Sequence, residues 1–289
     1  MLEKLNVINM KYTLKQTALV VLFLSSLIGI SQTKFEKGDW KDILENAQKN
    51  NKLIMVDLYF AGCAPCAQMD ANVFPNDEVS SLLNTDFVAF KADIFKEDIG
   101  KKLSLKYGVT GFPTFLFLAP NGKTLDIISG YHSVDEFVAV INEVKQLNRN
   151  KEYKKYSTSL EGDYPQFYSD AYLKNKRKVS FETSDNYLRT QTDLGSEIPF
   201  VIMTGLRVGG QYADYVLDNA AVLAENYGRM QVRNNIATIV KRKAMLFGEK
   251  SEESAFNKVL EKAKPIFTKT EWERFHPGFQ KAFLESKNQ

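Results

Sequence analysis

Short apolar runs alternate with amphipathic stretches between about residues 50 and 148, and this alternation constrains the fold more than any other feature of the sequence. Each run has the length and the β-branched or aromatic content of a strand. Strands that alternate with helices predict an α/β layer fold. The predicted strands are residues 53–60, 87–92, 114–118 and 124–129, and a turn at 120–122 makes the last two a hairpin.

A helix is predicted to close this first part of the chain near Asn148. Ser133 precedes the helix and Glu136 follows three residues later, which is the pattern of a capping box. The apolar positions of the helix recur at helical spacing and predict one buried stripe. These positions are Phe137, Val138, Val140, Ile141 and Val144. The predicted α/β domain therefore covers residues 32–148.

Residues 149–289 predict a second, all-α domain, because strand alternation stops and aromatic-rich helical stretches follow one another. Small and large apolar residues at helical spacing are typical of paired helices in a bundle or a repeat protein. The predicted helices are residues 164–174, 211–227, 230–247, 252–267 and 272–285, separated by Gly209-Gly210, Gly228, Gly248 and the region of Pro265.

The N-terminal segment predicts export. Residues 18–30 carry no charge, follow Lys11 and Lys15, and end in small residues, as a signal peptide does. A helix of that length reaches about 20 Å, short of the roughly 30 Å hydrocarbon core of a bilayer, so a permanent membrane helix is the weaker interpretation. We predict that residues 1–31 are a cleaved signal peptide and that the mature protein is periplasmic or secreted, without stable membrane insertion.

Charge argues against a nucleic-acid partner, because 38 basic and 35 acidic residues give a net charge of only +3. The charge is nevertheless uneven along the chain. Residues 32–148 contain 12 basic and 16 acidic residues, whereas residues 149–289 contain 23 basic and 18 acidic residues. Two interpretations stay open: the two surfaces dock on each other, or the second part binds acidic partners.

Cys63 and Cys66 are the only cysteines, and they lie where an apolar run meets a helix that is predicted to begin at Ala64. Unpaired amides and the positive end of the helix dipole stabilise an anion at such a junction. We therefore expect the Cys63 thiolate to form near neutral pH and to act as the nucleophile. Cys66, one turn later and more buried, is placed to close a disulfide.

Two other interpretations of the cysteine pair are weaker. A zinc site needs two more ligands, and the only histidines, His132 and His276, lie in separate predicted domains. A purely structural disulfide between residues three apart closes a very small loop and so removes little chain entropy. The sequence predicts no metal and no cofactor.

Three separated elements make residues 34–148 resemble the thioredoxin family. They are Val56-Asp57-Leu58-Tyr59 with the cysteine pair, Lys91-Ala92-Asp93, and Tyr107-Gly108-Val109-Thr110-Gly111-Phe112-Pro113-Thr114. More narrowly, the run through Asn72-Val73-Phe74, Asp77-Glu78-Val79 and Leu82-Leu83 resembles the C-terminal thioredoxin-like domain of the transmembrane thiol:disulfide interchange reductase.

The resemblance implies a catalytic and substrate-binding site. Asp57 matches the buried acid beneath the cysteines, and such an acid can accept the Cys66 proton. Lys91 matches the lysine that pairs with this acid. Pro113 matches the cis-proline that faces the disulfide, and a cis bond turns the backbone of Phe112 toward an extended substrate. An ordinary strand acid and a plain turn are the alternatives for Asp57 and Pro113.

These features predict a cell-envelope thiol-disulfide oxidoreductase that acts on protein or peptide disulfides and exchanges electrons with a membrane thiol-disulfide donor. The resemblance implies a reductase, but oxidase or isomerase activity stays open, since Ala64-Pro65 offers no histidine to stabilise a thiolate strongly. Gly62 and Ala67 replace the family's usual tryptophan and basic residue, so substrate preference also stays open. The alternative is a client-binding module or chaperone-like adaptor with a thioredoxin scaffold and little redox turnover.

Overall fold

The computed structural model describes residues 32–288, and its first part is a five-stranded sheet with helices on both faces. The predicted signal peptide lies outside the described residues. The strands are β1 (Phe35–Glu36), β2 (Leu53–Tyr59), β3 (Phe87–Asp93), β4 (Thr114–Leu118) and β5 (Thr124–Ser129). The helices are α1 (Trp40–Asn50), α2 (Ala64–Asn72), α3 (Asp77–Asp86), α4 (Asp98–Lys106) and α5 (Val134–Asn150). The predicted α/β fold class is confirmed.

The strand order is β1-β3-β2-β4-β5, which puts β2 in the middle of the sheet. β2 pairs parallel with β3, where Asp57 lies opposite Lys91, and antiparallel with β4, where Leu58 lies opposite Thr114. Side chains alternate between the two faces of a strand. Met55 packs in the apolar cluster with helices α2, α3 and α5, so Asp57, two residues further on, points to that same face.

The capping box predicted before α5 is present. The Ser133 hydroxyl accepts from the Glu136 N–H at 3.3 Å, and the Ser133 N–H donates to the Glu136 carboxylate at 2.8 Å. Two of the four unpaired amides of the first turn are satisfied in this way. Within the predicted apolar stripe, Phe137, Ile141 and Val144 are fully buried.

The rest of the described chain is helical, as predicted, and we call residues 151–288 the helical region. Its helices are α6 (Gln166–Leu173), α7 (Phe181–Leu188), α8 (Glu197–Gly205), α9 (Gly210–Asp218), α10 (Ala220–Tyr227), α11 (Arg229–Glu249), α12 (Glu253–Ala263) and α13 (Lys269–Lys287). The long helix α11 is at its centre and packs against α9, α10, α12, α13 and strand β5.

Two predicted helix boundaries are wrong. The single helix expected over residues 211–227 is interrupted at Asn219, whose side-chain amide donates to the Tyr215 carbonyl at 2.9 Å. Gly248 was expected to separate two helices, but it lies inside α11. A Cβ atom there would lie 2.4 Å from the Phe283 carbonyl oxygen, so glycine allows α13 to approach the α11 backbone.

The two parts of the chain share one apolar core. A single cluster of buried side chains extends from Ile54 and Leu58 of β2 through Tyr168 and Phe200 to Val232 of α11. The boundary near residue 148 stays a prediction. The helical region also lies along the outer side of β5, where the Lys154 N–H donates to the Thr124 carbonyl at 2.8 Å.

Within residues 32–288, two ion pairs join the parts, and in both the charges are opposite to the net charges of the two halves. Lys102 and Lys106 of the acidic first part contact Glu161 and Glu197 of the basic second part at 2.9 and 2.7 Å. These two contacts are therefore local ion pairs and do not follow from the net charges of the two halves. Among residues 32–288, no helix is long and apolar enough to cross a membrane.

Candidate active site

The two cysteines form a disulfide at the N-terminus of α2. Cys63 is the N-cap residue, and the Cys66 N–H donates to its Sγ atom at 3.3 Å. An unpaired amide of the first turn thus points at the Cys63 sulfur, which is the geometry that stabilises a thiolate after reduction. Cys66 is 3% exposed and Cys63 is 6% exposed, so both sulfurs are nearly enclosed in this oxidised form.

Gly62 has a backbone reason to be glycine. Its φ of +92° lies in a region that L-amino acids avoid, and nothing within 4 Å would contact a Cβ atom there. The turn between β2 and α2 therefore uses the conformational freedom of Gly62 rather than a side-chain contact.

Asp57 and Lys91 form the buried ion pair that the resemblance implied. The Asp57 side chain is 1% exposed, and Lys91 Nζ lies 3.1 Å from its Oδ2 atom. Neither Asp57 oxygen has an aligned hydrogen bond among the described residues, so the contact is an ion pair rather than a hydrogen bond. Lys91 also contacts Asp70, a half-exposed residue of α2.

Burial raises the pKa of Asp57 to about 6, against the attraction of the Lys91 ammonium, which acts to lower it. Burial alone would lower the pKa of Lys91, but Asp57 and Asp70 outweigh that effect and hold it above its usual value. Asp57 is thus a carboxyl group that can exchange a proton near neutral pH, which a proton acceptor for Cys66 requires.

Three aromatic rings surround the Lys91 ammonium. Its Nζ atom lies 4.8 Å from the ring centre of Phe35, 5.2 Å from that of Tyr59 and 5.3 Å from that of Phe74. Cation–π attraction at these distances compensates part of the cost of removing the ammonium from water. The rings therefore help to hold Lys91 between the two carboxylates.

The Phe112–Pro113 peptide bond is cis, as the resemblance implied. No hydrogen bond among residues 32–288 involves the backbone N–H or C=O of Phe112. Its ring packs edge-on against Phe60, at 5.2 Å between centroids, and Phe60 packs against Phe95, which is 50% exposed. An unpaired backbone next to partly exposed aromatic rings is suited to an extended peptide.

Strand pairing brings these groups to one end of the sheet. Leu58 near the end of β2 pairs with Thr114, which directly follows Pro113. The Cys63 N–H donates to the Phe60 carbonyl at 3.2 Å, so the turn that carries the cysteines folds back on the end of β2. The structure therefore places all six predicted site residues in one neighbourhood. Their catalytic and binding roles stay predictions.

The two histidines belong to different parts of the chain. The His132 N–H donates to the Met69 sulfur at 3.5 Å, and His276 is in α13. In the part of the chain that the structure describes, no three His, Cys, Asp or Glu residues lie close enough together to hold a metal ion.

Asp70 is the site residue that sequence reasoning missed. It lies four residues after Cys66, so both side chains lie on one face of α2. This spacing was visible in the sequence, but its partner Lys91 is 21 residues away and only the tertiary fold brings the two together.

The fold and the site define a class of protein, an α/β redox domain with a Cys-x-x-Cys disulfide at a helix N-terminus. Residues 40–145 match the thioredoxin-like domain family. Thioredoxin H4 of Arabidopsis thaliana is 31% identical over 96 residues, which are 33% of this chain and 75% of that protein. The chain belongs to the thioredoxin family and, with its relatives, to the thiol-disulfide oxidoreductases.

Two further similarities concern the same part of the chain. The thiol:disulfide interchange protein DsbD of Pasteurella multocida is 26% identical over 122 residues, which are 40% of this chain. The match spans only 21% of DsbD. The solution structure of a thioredoxin from Thermus thermophilus is 26% identical, with 41% of this chain and 90% of that chain covered and a TM-score of 0.37.

Proposed function

We propose that the protein is a cell-envelope thiol-disulfide oxidoreductase that reduces disulfides in proteins or peptides. The observation that carries the proposal is the Cys63–Cys66 disulfide at the start of α2, at the same end of the sheet as Asp57 and the cis peptide bond before Pro113.

The reduced protein acts in two steps. The Cys63 thiolate attacks a client disulfide, so that a bond forms between Cys63 and one client sulfur while the other client sulfur leaves as a thiolate. Cys66 then loses its proton to Asp57, directly or through water, and attacks the Cys63 sulfur. The second client sulfur leaves, and the Cys63–Cys66 disulfide of the present structure is formed.

The client is an extended peptide segment that contains a disulfide. The unpaired backbone groups of Phe112 can pair with such a segment, and the rings of Phe60, Phe95 and Phe112 can contact its apolar side chains. Main-chain pairing of this kind binds many sequences, which suits an enzyme with several protein clients.

The proposals that the protein acts as a reductase and that it lies in the cell envelope are based on its sequence. Ala64 and Pro65, the two residues between the cysteines, carry no charge or histidine that would make the pair a strong oxidant. Residues 18–30 predict export, and an exported reductase must receive its electrons from elsewhere. We propose a membrane thiol-disulfide protein as that donor.

Trapping of mixed disulfides tests the chemistry. Cys66→Ser removes the resolving thiol, so we expect client proteins to accumulate on Cys63, visible as bands that a reductant releases. Cys63→Ser is the matched control and should trap nothing. Trapping by Cys63→Ser alone would reverse the two roles. If neither variant traps clients and the unaltered protein leaves insulin-type disulfides intact, the protein is a client-binding scaffold instead.

A reporter that is active only after export tests the location. We expect residues 1–31 to export such a reporter and to be cleaved from it. A reporter that stays inside the cell would reject the envelope location and leave the chemistry of the cysteine pair to be judged on the trapping result.

A further inference from the structure

Side chains of the helical region donate hydrogen bonds to backbone carbonyls at the end of α4 and in the segment between α4 and the cis-proline. The Tyr168 hydroxyl donates to the Leu105 carbonyl at 2.7 Å, and the Gln231 side-chain amide donates to the Tyr107 carbonyl at 2.6 Å. The Leu105 carbonyl also accepts from the Gly108 N–H at 3.2 Å, so Tyr168 adds a second hydrogen bond there, whereas Gln231 supplies the donor for the Tyr107 carbonyl.

Both the oxygen and the nitrogen of the Gln231 side-chain amide form a hydrogen bond at this contact. Its Oε1 atom accepts from the Tyr156 hydroxyl at 2.8 Å while its nitrogen donates to the Tyr107 carbonyl. A carbonyl can only accept, so the amide orientation is fixed by its partner. Gln231 therefore connects α11 to the segment before the cis-proline with a side chain that has one orientation.

A third carbonyl, that of Val109, accepts from Tyr172 and Arg177. The Tyr172 hydroxyl lies 3.3 Å from it, and the Arg177 guanidinium, 3.4 Å from it, stacks on the Tyr172 ring. Glycine makes this approach possible, because a Cβ atom at Gly205 would lie 2.5 Å from the Tyr172 hydroxyl. The same Cβ atom would lie 3.1 Å from the Gly108 Cα atom, so the backbone of α8 approaches the segment before the cis-proline closely.

The other side of the cis-proline is held by α11 through Ser129. The Asn234 side-chain amide donates to the Ser129 hydroxyl at 2.8 Å, and that hydroxyl lies 3.9 Å from where a Cβ atom of Gly111 would be. The next residue, Gly130, donates its N–H to the Pro113 carbonyl at 2.8 Å. The helical region therefore contacts the cis-proline segment directly on one side, and on the other side acts on it through Ser129 and Gly130 of the sheet domain.

We propose that the helical region positions residues 107–113 for client binding, with Tyr172, Gln231 and Asn234 as positioning residues that act through the backbone next to Phe112. This inference rests on the proposed function, since it assigns the second part of the chain a role in binding extended peptide disulfides. The helical region then affects client affinity without touching the reacting sulfurs.

If Tyr172, Gln231 and Asn234 only stabilised the fold, their replacement would change the kinetics in a different way. Loss of stability removes active molecules and lowers the rates with every substrate alike. Loss of positioning weakens only substrates that pair with the segment, because a small disulfide needs only access to the Cys63 sulfur. The ratio of the two rates separates the cases.

The test uses Tyr172→Phe and Asn234→Ala, alone and together, in the full mature chain. Tyr172→Phe removes a hydrogen bond to the Val109 carbonyl, Asn234→Ala removes one to the Ser129 hydroxyl beside the segment, and neither change touches the cysteines. We expect the KM for a peptide disulfide to rise roughly three- to tenfold in the double variant, with kcat and the rate on a small aromatic disulfide unchanged. Tyr212→Phe is the matched control, since it removes a partly buried hydroxyl contact to Asp185 elsewhere in the helical region.

Amide hydrogen exchange provides a second readout that does not depend on turnover. We expect the Gly130 amide to exchange faster in the double variant and at the normal rate in Tyr212→Phe. An unchanged KM, equal losses on both substrates, or unchanged Gly130 exchange would each overturn the positioning role. If the unaltered protein reduces neither substrate, the proposed function fails, and the exchange result alone then decides whether the segment is held.

Discussion

Asp70, which lies on the same face of α2 as Cys66, forms an ion pair with Lys91 on the solvent side of the buried Asp57. The Lys91 ammonium therefore attracts two carboxylates, the half-exposed one of Asp70 and the buried one of Asp57. Because Asp70 is half exposed, solvent screens its charge and limits its effect on Asp57. The Asp70–Lys91 pair still affects the pKa of Asp57, although it touches neither sulfur.

Replacing Asp70 tests this effect. Asp70→Asn removes a negative charge that raises the pKa of Asp57, so we expect that pKa to fall. The pH at which mixed-disulfide resolution reaches half its maximal rate should move to lower pH, as stopped-flow kinetics would show. Asp77→Asn, an exposed acid on α3, is the control. Identical profiles for all three proteins would mean that Asp70 does not influence the site.

Asp57 should set the pH dependence of resolution. With its pKa raised to about 6, the carboxylate that accepts the Cys66 proton is present above that pH and lost below it. We expect Asp57→Asn to slow resolution near neutral pH by on the order of tenfold or more. The measurement is the decay of a preformed mixed disulfide. Unchanged decay in the variant would reduce Asp57 to a structural acid.

The same carboxyl group should cost stability at neutral pH. Its pKa is about 6 in the folded protein against 3.8 in the unfolded chain, so the folded state binds more protons between these values. The free energy of unfolding therefore falls as pH rises through this window, by about 3 kcal/mol for a shift of about two units.

Asp57→Asn removes this cost. We expect the variant to be more stable than the unaltered protein at about pH 7.5 by on the order of 1–3 kcal/mol, and to lose that advantage toward about pH 4. Lys91 then lacks its buried partner, which keeps the gain below the full value. Denaturant unfolding at several pH values measures it, and a variant that is less stable at the higher pH would contradict the argument.

Lys106 and Glu197 should be the ion pair between the two parts whose disruption is most costly. The Lys106 side chain is 1% exposed, and its Nζ atom lies 2.7 Å from Glu197 and 2.8 Å from the Ser157 hydroxyl. Glu197→Gln leaves a buried ammonium without a counter-charge, so we expect a loss of about 3–5 kcal/mol in the free energy of unfolding.

Two further variants check this prediction. Adding Lys106→Met to Glu197→Gln removes the uncompensated charge and should restore part of the loss. Glu161→Gln breaks the exposed pair with Lys102 and should change stability by less than about 1 kcal/mol. Equal effects of Glu161→Gln and Glu197→Gln would show that burial does not distinguish the two pairs.

Sequence patterns predicted the sheet well where strands are long and turns are clear. The bounds of β4 and β5 agree with the prediction, because the turn residues 120–122 lie between two apolar runs. β1 has only two residues, too few for a period to be seen. In α8, residues 198–205 are apolar or small apart from Thr204, and seven residues from Pro199 to Gly205 are buried, so no amphipathic period marks it.

The core of the candidate site was predictable because its motif is local and its spacing is tied to strand and helix geometry. The pairing of Asp57 with Lys91 was implied only by the resemblance to the thioredoxin family, because β2 is buried along almost its whole length and shows no period-two alternation. The contacts of Gln231 and Tyr172 were not predictable, because their partners are backbone carbonyls. A carbonyl is present at every residue, so no sequence signal marks the ones that will accept.

The helical region also limits the pairing of β5 with other protein chains. The Lys154 N–H donates to the Thr124 carbonyl, and the Ser129 N–H donates to the Met230 sulfur. Gly228 lies against the backbone of Ile127. An uncovered outer strand invites other chains to add to it and so promotes aggregation. With β5 shielded in this way, that edge of the sheet offers neighbouring copies little template for intermolecular β-pairing.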